Sequence, residues 1–164
     1  MMKIICIFLV VILIFSLAGC GERNSAPEVA VNFYYCTPSE NYKNIRKTIL
    51  PEVREGAGFE NDMTGLINIY LKGPLSESLS NPFPDNCTVM TLLQEDNEIQ
   101  LTMSSNFAKL SGIDLVMASS CISYTLFELS QCDRVQISVE NLLLDGNQSI
   151  TIHRSDLLLE HFSE

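Results

Sequence analysis

Histidine is scarce in this chain: His153 and His161 are the only two in 164 residues, both near the C-terminal end. A Cys/His nucleophile would have to pair Cys121 or Cys132 with His153. No local signature of an activated thiolate surrounds either cysteine, and a strand-surface histidine is the plainer reading. There is no C-x-x-C pair and no Cys/His cluster at ligand spacing, which leaves zinc without a site. Ser104-Ser105 and Ser119-Ser120 lack a G-x-S-x-G setting, so no serine nucleophile elbow is expected. Asp96 and Glu98 lie in a short acidic segment without the regular oxygen ligands of a calcium loop, and a solvated hairpin turn accounts for them. The expectation is a chain with no catalytic residues, no metal and no cofactor.

Positive charge is equally thin. Ten Lys and Arg face twenty Asp and Glu, a formal net charge of −10. Such a surface repels phosphate backbones, since nucleic-acid binding needs clustered Lys and Arg. It also argues against adsorption to anionic lipid or anionic wall polymers. Internal repeats and low-complexity segments are missing too, so solenoids and disordered tails are not expected.

What the chain has in abundance comes first. After Met1-Met2-Lys3, an almost unbroken apolar run extends from Ile4 to Ser16 and ends on Leu17-Ala18-Gly19-Cys20. A positive start, a short apolar stretch and small residues at its end describe a secretory signal. The run is short for a spanning helix, which usually takes about 20 apolar residues. The four closing residues resemble the lipobox of bacterial lipoprotein signals. That resemblance implies a signal peptide over 1–19 and lipid attachment at Cys20, the mature N-terminus. Two or more acyl chains, palmitate among them, anchor stably where one would not. The chain is then tethered to the outer, extracytoplasmic face of the cell membrane. The alternative is a short uncleaved anchor with Cys20 a bystander.

Residues 20–28 are polar, with Gly21 and Pro27, and read as a tether. Residues 29–164 are enough for one domain with its own core. Val29, Val31, Phe33 and Tyr35 alternate as a strand. Tyr42 to Arg54 is ambiguous, but Pro51 disfavours a helix interior and points to an extended, edge-type strand. Met63, Leu66, Ile67, Tyr70 and Leu71 make a helical stripe over about 60–72, capped by Asn61 or Asp62 and stopped by Gly73-Pro74. Gly73-Pro74 could also be a functional contact, but a helix stop is the simpler role. Strands at 88–93 and 99–103 flank a polar turn and form a hairpin. Ser111 to Asp114 has the spacing of a capping box before a helix over about 112–130. Val135, Ile137 and Val139 alternate as another strand. Residues 142–144, the turn Asp145-Gly146 and residues 150–152 read as a terminal hairpin or added edge, and 155–164 as one or two helical turns.

The order β, β, α, β, β, α, β, β predicts an α+β fold: one mixed β-sheet with two amphipathic helices packed on one face. Cys36, Cys87, Cys121 and Cys132 can form one or two disulfides or stay buried thiols. The place of Cys121 in a helical apolar pattern favours the thiol. Tyr34, Tyr42 and Phe59 could line a ligand groove, although core packing or ordinary exposure is the more usual fate of such side chains. Asn86-Cys87-Thr88 matches a glycosylation sequon, which carries little meaning beside a bacterial lipoprotein signal.

Four stretches resemble the GerMN domain family of sporulation and spore-germination lipoproteins and related envelope proteins. They are LINIYLKGP (66–74), NPFPDNCTVMTLLQEDNEIQLTMSSNF (81–107), SYTLFEL (123–129) and CDRVQISVEN (132–141). The chain departs from the family at Glu140-Asn141 and Asp96-Asn97, where Asp-Gly is common; Asn tolerates φ > 0, so both turns remain feasible. The resemblance implies a non-catalytic, ring-building-motif-like interaction domain. Expected partners are other exported envelope or sporulation proteins. Two surfaces offer themselves: a strand edge near 148–153, suited to strand addition, and the segment Leu157-Leu158-Leu159 with Phe162, which could equally pack on its own sheet. The competing readings are a binding module for a small cell-wall-derived ligand and, further off, a Cys/His hydrolase.

Overall fold

The computed structural model describes residues 30–38, 49–55 and 62–157. Strand β1 (Ala30–Cys36) pairs antiparallel with β2 (Ile49–Glu55), from Ala30 opposite Glu55 to Cys36 opposite Ile49. Pro51 stands within β2, where the missing donor is tolerated because, among the described residues, β2 has β1 as its sole strand neighbour. Helix α1 (Met63–Tyr70) begins at Asp62, whose carboxylate accepts the Gly65 amide at 2.8 Å. Its Leu66, Ile67 and Tyr70 are buried. The chain leaves it through Gly73 at φ +102, a conformation open to glycine alone at little cost.

Strands β3 (Val89–Glu95) and β4 (Glu98–Met103) form the expected hairpin. Its turn is two residues long, with Asp96 at φ 49. A 3₁₀ turn at Ser105–Lys109 and the long helix α2 (Gly112–Leu129) then carry the chain across to β5 (Arg134–Val139). β5 pairs parallel with β4, and parallel neighbours require such a crossover. Finally β6 (Ser149–His153) returns antiparallel to β5. The α+β class stands, with two helices and mixed strand pairing.

Within that class the strands divide differently from the single sheet expected. β1 and β2 form a two-stranded sheet of their own, and the other four run in the order β3-β4-β5-β6. The reason lies in α2, which packs against β1 as well as against β5 and β6. Seven consecutive residues, Cys121 to Phe127, are buried, which contact on a single helix face cannot achieve. α2 is long and apolar enough by composition to cross a membrane, but here it is the core helix of the domain.

Three local expectations change. Ser111 is the N-cap of α2, yet its side chain makes no cap hydrogen bond; the Gly112 amide is met instead by Asp145 Oδ2 at 3.4 Å. Residues 142–144 form isolated bridges, Val139 to Leu142 and Leu144 to Asn147, rather than a strand. Leu144 is nevertheless fully buried, which pins this loop to the core. Residues 154–156 form a turn, not a helix, and Leu157 packs on the core; residues 158–164, with Leu158, Leu159 and Phe162, lie outside the described residues.

Candidate functional site

The side chains considered for chemistry do not converge. Cys121 is fully buried on α2, with its sulfur 3.7 Å from that of Cys36. Cys132 is buried after α2 and its sulfur accepts a hydrogen bond from Ser130 Oγ at 3.0 Å. His153 is exposed on β6 and lines a cleft to which neither cysteine contributes. Cys87 and Cys132 are free thiols. Burial pushes the Cys87 thiol up to about 11, against a hydrogen bond from Ser104 that pulls the other way. Such a thiol is a poor nucleophile at neutral pH.

Tyr34, considered as a groove residue, belongs to the interior. Its ring stacks on Tyr124 at 5.3 Å, its amide donates to Thr125 Oγ1 at 3.0 Å and its hydroxyl donates to Glu128 at 2.9 Å. Burial, then the Glu128 hydrogen bond, raises its pKa well above the ordinary tyrosine value. Tyr42, Phe59 and Cys20 lie outside the described residues. Glu98 is held by Arg134, whose Nε donates to it at 2.8 Å, so Asp96 and Glu98 do not present a paired open site for a cation. Gly73 and Pro74 end α1 as expected, and the Gly73 carbonyl accepts a hydrogen bond from Arg54 at 2.7 Å.

The four-stranded sheet has two edges. β6 is one, as the sequence indicated, with Thr151 and His153 exposed and Ile150 and Ile152 half-buried. The second is β3, which sequence reading placed in the hairpin without recognising it as an edge. Its first amide, Val89, donates to Asn68 of α1 at 2.9 Å, and a register shift between Val89 and Thr91 bends the strand there. Beyond that point Met90 and Leu93 are 56% and 50% exposed. Unpaired edges are templates for strand addition, and bulges and charges are the usual means of moderating them. β3 has a bulge near its start and Glu95 at its end; β6 is short and followed by Arg154.

Two further surface features flank these edges. Ile113 and Val116 are exposed at the start of α2, while Leu142 and Leu143 are exposed in the loop after β5. The hydrogen bond from Gly112 to Asp145 brings that loop to the same helix end. At the opposite end, a cleft of about 330 Å³ is lined by Glu95, Asp96, Asn97, Glu98, Gln100, Asp133, Arg134 and His153. Asn97 fixes its floor, its carbonyl accepting from the Asp133 amide at 3.0 Å and the Arg134 amide at 3.3 Å. Among the described residues no group of His, Cys, Asp and Glu is arranged to hold a metal ion.

Two interactions that positioned these elements were not foreseen. Glu52 and Arg54 lie two apart on β2, hence on one face, where Arg54 covers the rings of Phe33 and Tyr35 at 5.3 and 5.5 Å. Glu52 pairs with Arg54 and accepts the Leu75 and Ser76 amides at 3.0 and 2.8 Å. Arg154, just past β6, donates to the carbonyls of Phe127, Ser130 and Cys132 at 2.8, 3.2 and 2.7 Å, closing the C-terminus of α2. The signal available in the sequence was a single arginine at Arg54 and another just past the last predicted strand at Arg154, which is not specific enough to find either.

Among the described residues this is an α+β domain whose four-stranded sheet ends in two edges, β3 and β6. The chain belongs to the Germane family, described as sporulation and spore germination, whose profile matches residues 32–145. Its fold is similar to the first GerMN domain of the sporulation protein GerM from Bacillus subtilis, with a TM-score of 0.57 and 15% identity over 73% of this chain and 91% of that one. The tandem GerMN domains of the same protein give a TM-score of 0.59 at 18% identity, covering 80% of this chain and 47% of that one. This chain thus spans about half of the tandem structure. No curated protein matches the chain in sequence. The domain is therefore GerMN-like, and neither the family description nor these neighbours name an enzyme.

Proposed function

We propose that this chain is a lipoprotein, anchored through Cys20 to the extracytoplasmic face of the cell membrane, whose GerMN-like domain docks onto another exported protein during sporulation, germination or envelope assembly. It acts without catalysis. The observation that carries the docking role is the β6 edge, which has no strand beyond it among the described residues of a domain of this family. An added strand would draw affinity from main-chain hydrogen bonds and specificity from alternate side chains. The anchor rests on the lipobox resemblance, and the acidic surface leaves membrane proximity to the lipid rather than to charge.

The test is site-specific photocrosslinking in native membranes from a probe at Thr151, with one at Lys109 as control. A protein adduct from Thr151 alone is expected, together with an intact mass showing acylation at Cys20. A wall fragment co-purifying while no protein is crosslinked would transfer the role to small-ligand binding. An unprocessed N-terminus retaining Met1 would remove the proposed compartment.

A further inference from the structure

We propose that Cys36, at the end of β1, and Cys121, midway along α2, are joined by a disulfide bond in the mature protein. Their sulfurs lie 3.7 Å apart in the interior, from residues 85 apart in sequence. A disulfide spans about 2.05 Å, so forming the bond shortens the sulfur separation by about 1.7 Å. The other two cysteines have separate neighbourhoods: Cys132 is engaged by Ser130, and Cys87 lies beside Ser104.

The inference rests on the extracytoplasmic placement proposed above only for its oxidant, since disulfides persist outside the reducing cytosol. The step is exchange with a disulfide-bonded protein carrier. One cysteine thiolate attacks a carrier sulfur and expels the other as thiolate; the second cysteine then attacks the mixed disulfide. One S–S bond forms in this chain and one breaks in the carrier, which leaves as a dithiol with two electrons and two protons. Burial fixes the order of events. Both sulfurs are inside, so the carrier must act before α2 closes over β1. Burial, together with the neighbouring Cys36, also raises the Cys121 thiol far above its ordinary range, and the folded chain would offer almost no thiolate to attack.

The bond would sit at a junction that needs it. Among the described residues the β1–β2 sheet shares no strand pairing with the four-stranded sheet. It is held by side-chain hydrogen bonds such as Tyr70 Oη to the Tyr34 carbonyl at 2.6 Å and by packing on α2. A covalent tie from β1 to α2 closes a long loop, and constraint of the unfolded chain grows with loop length.

Two samples test it: full-length chain refolded from the reduced state in a mixture of oxidised and reduced glutathione, and chain extracted from native envelopes. Each is acid-trapped, alkylated with N-ethylmaleimide and mapped by peptide mass. The expected result in both is a Cys36–Cys121 linkage with Cys87 and Cys132 alkylated, and a Tm that falls by about 10 °C on reduction. The Cys36→Ser, Cys121→Ser double variant should show no such fall. Alkylation of both Cys36 and Cys121 in the refolded chain, or a linkage of either through Cys87 or Cys132, would overturn the pairing. Free thiols in envelope-derived chain would overturn the bond in the mature protein. Whether the placement fails with it is read separately, from digestion by protease added outside intact cells.

Discussion

Ser119 and Ser123 sit one helical turn apart on α2, both buried, and their hydroxyls find no hydrogen-bond partner among the described residues. A buried hydroxyl left unpaired costs about 1–3 kcal/mol, and alanine is also the better helix former. Ser123→Ala should therefore stabilise the protein by about 0.5–1 kcal/mol in urea unfolding; a loss would show that the hydroxyl has a partner. Glu52 presents the opposite case. Burial alone would raise its pKa, but hydrogen bonds from the Ser76 and Leu75 amides and from Arg54 outweigh this and hold it below the ordinary 4.5. A depressed carboxylate contributes stability above its unfolded pKa and loses it as pH falls through the folded one. Glu52→Gln should cost about 1–2 kcal/mol at pH 7, with the gap from wild type closing as pH drops below about 4.5. A gap that stays constant down to pH 3 would mean that the charge of Glu52 is not what holds Leu75 and Ser76.

Arg154 shows how one side chain can fix two elements. It follows β6, covers the Phe127 ring at 4.8 Å and satisfies carbonyls at the end of α2, where the helix dipole also favours a cation. Its amide donates to the Asp133 carbonyl at 2.8 Å, so β6, α2 and the start of β5 meet there. Arg154→Ala should cost about 2 kcal/mol and speed hydrogen exchange of the β6 amides, while Arg154→Lys, a single donor head without the planar fork, should recover less than half. A lysine variant as stable as the wild type would mean that stem packing and a single charge, not the planar fork, are what matter. The elements themselves were largely legible in the sequence. Period-2 runs gave β1, β4 and β5, the stripe from Met63 gave α1, and Asn141 does adopt the φ of 56 that its turn requires. What escaped was long-range: Ser111 has the spacing of a capping box but makes no side-chain cap bond, and a carboxylate 33 residues away meets the first helical amide, at Gly112.

At the scale of the whole molecule the same distinction decides what could be read. Local periodicity says that α2 has an apolar face; it does not say that β1 will cover a second one, so the separation into two sheets was hidden. That arrangement gives the domain two poles. Tyr34 meets Thr125 and Glu128, while Cys36 meets Cys121, so β1 runs toward the N-terminal end of α2. Ala30 therefore stands toward the C-terminal end of α2, about 32 Å along the axis from Ile113, taking about 3.3 Å per strand residue and 1.5 Å per helix residue. An anchor preceding Ala30 would hold that pole toward the membrane and turn Ile113, Val116, Leu142 and Leu143 away from it. Ile113 and Val116 are 65% and 57% exposed, so replacing both by serine should change stability by no more than about 0.5 kcal/mol each. If the outward pole belongs to the docking surface, the double variant should lose most of the crosslink made from Thr151 at unchanged Tm and membrane fractionation. An undiminished crosslink would confine docking to the β6 edge.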